Sequence, residues 1–250
     1  MATNPGDDTP GDNTPGDNTP GDNIPGDNIP GDNIPGDTPG PLRAAELICA
    51  RLCHDLASVV GTLDNVLDLA AEEAAPLPEA VGLAREAATE LAGRLRLLRA
   101  AWGPPEEAMT VAAMRTLATG LPNACRITLD TAALAPETEF PPEAARIVLN
   151  LLLLAQESLP AGGTVRLAGC AGDLLIVIGG ERAAWPAILP RCLAGEAAAT
   201  AALLDARTLQ APLTALLARR AGIPLGMLIQ AGRSDAPPPL RLGPICTEDK

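Results

Sequence analysis

From Leu42 to about Ala75, apolar residues recur at Ala45, Ile48, Leu52, Leu56, Val59, Leu63, Val66 and Ala70. Steps of three and four, about 3.5 on average, predict a helix packed in a bundle or coiled coil. Pro76 and Pro78 close it. A second stripe, Leu83, Ala87, Leu91, Leu95, Leu98 and Trp102, predicts a helix from about Glu79 to Trp102, stopped by Gly103-Pro104-Pro105. Two long helices joined by a short Pro-containing turn make an antiparallel hairpin. A lone hairpin covers its stripe poorly, so pairing of two copies into a four-helix bundle is the expected completion.

Beyond Pro105 the pattern is mixed. Arg126 to Asp130 alternates like a strand, Pro141 to Leu159 reads as a helix, and Gly162-Gly163 as a turn. Thr164 to Ala168 and Leu174 to Ile178 predict a β-hairpin, residues 196–221 are mainly helical, and Ile223 to Gln230 and Leu240 to Leu242 close as strands. Runs of helix and antiparallel strand define an α+β class, built as a small α/β sandwich. The opening residues share neither period. Residues 4–41 repeat Pro-Gly-Asp-Asn-Thr, drifting to Pro-Gly-Asp-Asn-Ile. Pro and Gly every five residues oppose helix and sheet, and the few Ile form no core, so 1–41 is expected to be a disordered tail. The expected organisation is therefore 1–41 tail, 42–103 hairpin and 104–250 α+β domain.

Composition narrows the function. Net charge is −13, and the first 41 residues hold eight Asp without a Lys or Arg. The rest carries 18 basic against 23 acidic residues, a balance of −5. No basic patch emerges, which argues against nucleic acid as a partner. With one Phe, two Trp and no Tyr, stacking platforms are unavailable too. The six cysteines contain no C-x-x-C pair, and no export signal precedes them. They read as reduced, mostly core thiols of a cytoplasmic protein. The run Ile147 to Ala155 is too short to cross a bilayer, so no membrane is implied.

Candidate chemistry centres on Arg51-Leu-Cys-His-Asp-Leu-Ala-Ser58, which holds His54, the sole histidine. His54 is two residues from both Leu52 and Leu56, so it points away from the seam, about 160–200° round the helix. Arg51, Ser58, Gly61 and Asn65 share its outward face. Ser58 and Gly61 are poor helix formers and leave room for another protein to approach the ring. A solvent-facing imidazole can attack a phosphoryl group, and neighbouring Asp55 can orient the ring or take its proton. A surface His beside a surface Asp can also be incidental. Cys49 and Cys53, at i and i+4, fit core-side positions better than a metal site, because His54 points elsewhere and no second cluster exists.

The stretch Arg51-Leu-Cys-His-Asp-Leu-Ala-Ser-Val-Val-Gly61, with Asp64-Asn-Val-Leu-Asp68, resembles the phospho-accepting helix of ChpT-type histidine phosphotransferases. These bacterial phosphorelay proteins are built like histidine kinases that have lost kinase activity. The resemblance runs on through Ile147-Val-Leu-Asn-Leu-Leu-Leu-Leu-Ala-Gln-Glu-Ser-Leu-Pro-Ala-Gly-Gly-Thr164 and covers roughly 42–245. It implies a homodimeric hairpin, a degenerate ATPase-like domain, His54 as phospho-acceptor and Asp55 as its flanking acid. Its partners would be receiver domains of a hybrid kinase and of response regulators, docking at Arg51, Ser58, Gly61 and Asn65. Cell-cycle regulation is the output the resemblance implies.

Two positions depart from the pattern: Val59 where a proline commonly follows the Ser, and Val66 where glycine commonly follows the Asn. Nucleotide motifs are eroded. Leu154 replaces a second Asn, Ile178-Gly-Gly-Glu-Arg182 lacks the Asp of an Asp-x-Gly-x-Gly turn, and the glycine-rich lid is missing. Asn150 then reads as structural, and no ATP, other cofactor or metal is expected in this chain; the receiver supplies Mg²⁺. Two other readings stay open: an ATP-dependent sensor histidine kinase, and a non-catalytic dimeric adaptor.

Overall fold

Apart from Met1, this computed structural model describes residues 41–71, 77–228 and 236–244. The repeat at 4–40, the turn at 72–76 and most of the segment after Leu228 lie outside the described residues. The described residues from Pro41 onward form one compact unit.

The hairpin comes first, with α1 at Pro41–Ala71 and α2 at Leu77–Trp102 packed along each other. Then follow β1 (Met109–Thr110), α3 (Val111–Ala118), β2 (Ile127–Ala133), β3 (Glu139–Phe140) and α4 (Pro142–Glu157). The chain continues through β4 (Gly163–Cys170), β5 (Asp173–Gly179), α5 (Leu189–Ala194), α6 (Glu196–Ala201), α7 (Gln210–Arg220), β6 (Leu225–Met227) and β7 (Leu240–Leu242). The α+β class holds, with one difference in topology. The main sheet has the order β2-β4-β5-β7-β6, and β2 pairs with β4 in parallel while the remaining pairs are antiparallel. A parallel pair needs a long crossover, and α4 lies on that connection.

The Ile147 to Ala155 run finds its explanation here. It lies in α4, which is buried on nearly every side and shares the main core with Val165, Leu167, Leu174, Ile176, Leu240 and Leu242 of the sheet. A helix apolar all round needs such surroundings. None of the described helices is long and apolar enough to cross a membrane. Gly120 brings the turn after α3 against α2, where a Cβ would collide with the Gly93 carbonyl.

Both hairpin helices carry a second apolar stripe, and this alters which residues face inward. On α2, Ala87, Leu97, Leu98 and Ala101 are buried, whereas the expected seam residues Leu83 and Leu95 are 46% and 44% exposed. On α1, Leu47 is buried against Leu203, Leu209 and Leu213, and Ala45 is exposed. The expectation of mostly core thiols fails as well. Cys49, Cys53, Cys125 and Cys170 are exposed, and Cys192 alone among the described cysteines is buried. Cys49 and Cys53 belong to the outward stripe of α1.

Candidate functional site

Helix α1 presents His54 with 71% of its side chain exposed. The ring is far from loose on one side: Nδ1 lies 3.2 Å from Asp55 Oδ1. A carboxylate accepts, so the contact fits a ring that carries its proton on Nδ1 and keeps its lone pair on Nε2. Asp55 is itself 11% exposed and is gripped by Arg51, whose Nε–H reaches both carboxylate oxygens at 3.0 and 2.8 Å. The pairing of Arg51 with Asp55 follows from i, i+4 spacing on a helix.

The rest of this network was beyond sequence reasoning. Arg51 Nη2 donates to Glu157 Oε1 at 2.7 Å, and Nη1 reaches the Ala206 and Arg207 carbonyls at 3.3 and 3.4 Å. Glu157 ends α4, 106 residues further along the chain. Burial pushes its carboxyl above the usual range, against the opposing pull of Arg51. Buried Arg94 ties the two helices together at the same level, donating to the Asp55 carbonyl at 3.0 Å and to Glu90 at 2.8 Å. One arginine fixes the carboxylate, the other the helix backbone.

Of the expected docking residues, Ser58 and Asn65 are exposed on the His54 side of α1. Gly61 is half-buried, yet a Cβ there would meet nothing within 4 Å. Arg51 is different. It is 18% exposed and turned inward, where two carboxylates and two carbonyls hold the guanidinium. Sequence phase put it on the outward face; its side chain folds back. Two clefts meet at His54. One, of ≈ 710 Å³, runs toward Pro186, Ile188 and Thr208, and the other is bordered by Ser58, Thr62 and Asn123.

Asn150 sits away from this surface, fully buried. Its amide donates to the Ala101 and Arg146 carbonyls at 2.6 and 2.9 Å, and its oxygen accepts from Gln210 Nε2 at 3.0 Å. Gln210 also bonds Thr214 at 3.1 Å, so α2, α4 and α7 are joined through one polar knot. Leu154, where a second Asn would stand, is wholly within the apolar core. Among the described residues no group of three or more His, Cys, Asp or Glu could hold a metal ion.

An outward imidazole on a helical hairpin, backed by an α+β body, is the build of a protein that carries a phosphoryl group on histidine. Known proteins agree. The family model described as histidine phosphotransferase C-terminal domain matches residues 111–233. Protein phosphotransferase ChpT of Brucella abortus (strain 2308) is 30% identical over 209 residues, 76% of this chain and 92% of that protein. A solved 1.7 Å structure of a bacterial phosphotransferase superposes with a TM-score of 0.62 at 25% identity, covering 81% of this chain and 96% of the other. The chain belongs to the ChpT-type histidine phosphotransferase family and acts as a phosphorelay phosphotransferase.

Proposed function

We propose that His54 is the phospho-acceptor and that it moves phosphoryl groups between the aspartates of receiver domains. The observation that carries this is a ring that is 71% exposed while its Nδ1 lies beside the Asp55 carboxylate. Nε2 attacks the phosphorus of a receiver's acyl phosphate. The N–P bond forms as the P–O bond to the aspartate breaks, and that aspartate leaves as a carboxylate. Asp55 stabilises the cationic ring that results, and the reverse step delivers the group to a second receiver. A Mg²⁺ ion bound by the receiver would screen the phosphoryl oxygens. This chain contributes position. Ser58, Gly61 and Asn65 offer the small, exposed surface on which the receiver docks.

No ATP takes part in this reading. The full use of Asn150 in the core, with both amide hydrogens donated and its oxygen occupied, supports that view. The α+β body then corresponds to a degenerate kinase-type domain. The test is direct. Purified receiver domain carrying labelled phosphate is mixed with the protein, then a second, unlabelled receiver is added. Label is expected on His54 and then on the second receiver, and His54→Ala abolishes both transfers without lowering the melting temperature. Labelling of His54 by ATP alone would sink this reading in favour of a kinase.

A second proposal concerns assembly. The outward stripes run Cys49, Cys53, Leu56, Val60, Leu63, Leu67 on α1 and Leu77, Val81, Ala84, Ala88, Leu91, Leu95 on α2, both in steps of four and three. Val60 and Leu67 are 48% and 54% exposed, and Leu77 is 67% exposed. That periodicity fits the seam of a four-helix bundle formed by two copies.

A further inference from the structure

Accepting His54 as the acceptor, we infer that Glu157 is a positioning residue: through Arg51 and Asp55 it fixes the tautomer and aim of the His54 ring. The α+β body would thereby keep a working part in the reaction, reaching the phospho-acceptor helix from inside.

The geometry is a chain of contacts whose first three members are largely covered and whose last stands in solvent. Side-chain exposure is 21% at Glu157, 18% at Arg51, 11% at Asp55 and 71% at His54. Glu157 accepts from Arg51 Nη2 at 2.7 Å, Nε of the same guanidinium holds Asp55 at 2.8 and 3.0 Å, and Asp55 meets Nδ1 at 3.2 Å. A planar guanidinium is a rigid fork, so a partner on one nitrogen constrains the direction of the others. Without Glu157, and apart from Asp55, Arg51 keeps two contacts, from Nη1 to the Ala206 and Arg207 carbonyls, both longer than 3.2 Å. Arg51 would then pivot about its flexible stem, and Asp55 with it.

Glu157 suits the anchoring part because of where it sits. It is the last residue of α4, the helix most completely enclosed by the core. The next residue, Ser158, caps the helix and returns its hydroxyl to the Leu154 carbonyl at 2.7 Å. A group on so fixed an element is better placed to orient another than one on a loop. An ion pair that merely joined α4 to α1 would not need Asp55 on the same guanidinium.

The single histidine makes the test unambiguous, since one imidazole gives one set of ring signals. Uniformly ¹⁵N-labelled protein is examined by long-range ¹H–¹⁵N correlation at about pH 8, where an ordinary imidazole is neutral. The wild-type ring is expected mainly in the Nδ1–H form. Glu157→Ala should raise the Nε2–H share clearly, and the isosteric Glu157→Gln, which keeps an acceptor oxygen, should fall between. Single-turnover transfer from a phosphorylated receiver should slow roughly threefold to tenfold in Glu157→Ala, a part of a full acid–base contribution. Half-saturation by the receiver should not change.

Should Glu157→Ala fail to fold, Glu157→Gln alone decides, because its shape is preserved. A wild-type ring in the Nε2–H form overturns the inference. Folded variants with the wild-type tautomer overturn it also, even if transfer slows, since that would mark a structural ion pair. The ring measurement needs no receiver. If wild-type His54 never accepts label, the relay reading fails by itself, and the tautomer comparison still judges the clamp.

Discussion

Helices α1 and α4 are both rich in leucine and alanine, and they could hardly be used more differently. In α4, eleven of sixteen residues are buried, Asn150 among them. In the 31-residue α1, the buried side chains are Leu47, Val59 and Val66. The exposed imidazole stands on the sparsely packed helix, and the enclosed helix reaches that surface through its last side chain, Glu157. A nucleophile offered to another protein must sit on an open surface, which cannot hold it in position alone. Rigidity is borrowed from the core through one carboxylate.

The comparison breaks most visibly if core truncation in α4 proves cheap. Leu152 has no exposed surface. Leu152→Ala should cost about 3–5 kcal/mol in denaturant unfolding through lost transfer energy and the cavity left behind. Leu67→Ala on α1, measured as a monomer at high dilution, should stay within about 0.5 kcal/mol. Equal losses would mean that α1 is as well packed as α4. Asn150→Ala should cost less than Leu152→Ala, about 1–3 kcal/mol, because it strands the Ala101 carbonyl and one Gln210 hydrogen in the core.

Periodicity made the hairpin, α4 and the β4–β5 pair legible, since each is a local pattern. It could not choose between two apolar stripes on one helix. Leu83 and Leu95 have the same spacing as the residues that are buried, and Cys49 and Cys53 share theirs with Val60 and Leu67. The parallel pairing of β2 with β4 was hidden too, because nothing local to Ile127–Ala133 records the α4 crossover. In the site, the direction of His54 followed from helix phase. Glu157 did not: its partner is 106 residues away. The one visible trace was the i, i+4 spacing of Arg51 and Asp55, which assigns Arg51 an inward partner and questions its outward role.

The open stripes sharpen the contrast at the level of assembly. Val60→Glu with Leu67→Glu should convert a dimer to a monomer in sedimentation at micromolar concentration. The monomer's fold should barely change, as both residues are already about half exposed. A wild-type protein that sediments as a monomer would leave the stripes without a purpose in this scheme.

The smallest effect belongs to exposed ion pairs on the sheet. Arg166 pairs with Asp130 at 2.7 Å between β4 and β2, and Arg241 forms two bonds to Asp173 at 2.7 and 2.6 Å between β7 and β5. The arginine hydrogen bonds hold both carboxyls below the usual aspartate range. A depressed folded-state pKa means that the unfolded chain binds protons first as acid is added. Stability from these pairs is therefore complete above the ordinary aspartate value, about pH 4, and is lost as pH falls further. Asp130→Asn with Asp173→Asn should leave neutral-pH melting almost unchanged, since exposed pairs contribute little. It should also flatten the decline in melting temperature below pH 4. An unchanged decline would show that acid sensitivity arises elsewhere. Glu157 has the opposite sign: its raised carboxyl contributes most when protonated, and that contribution fades as pH rises through its folded-state value.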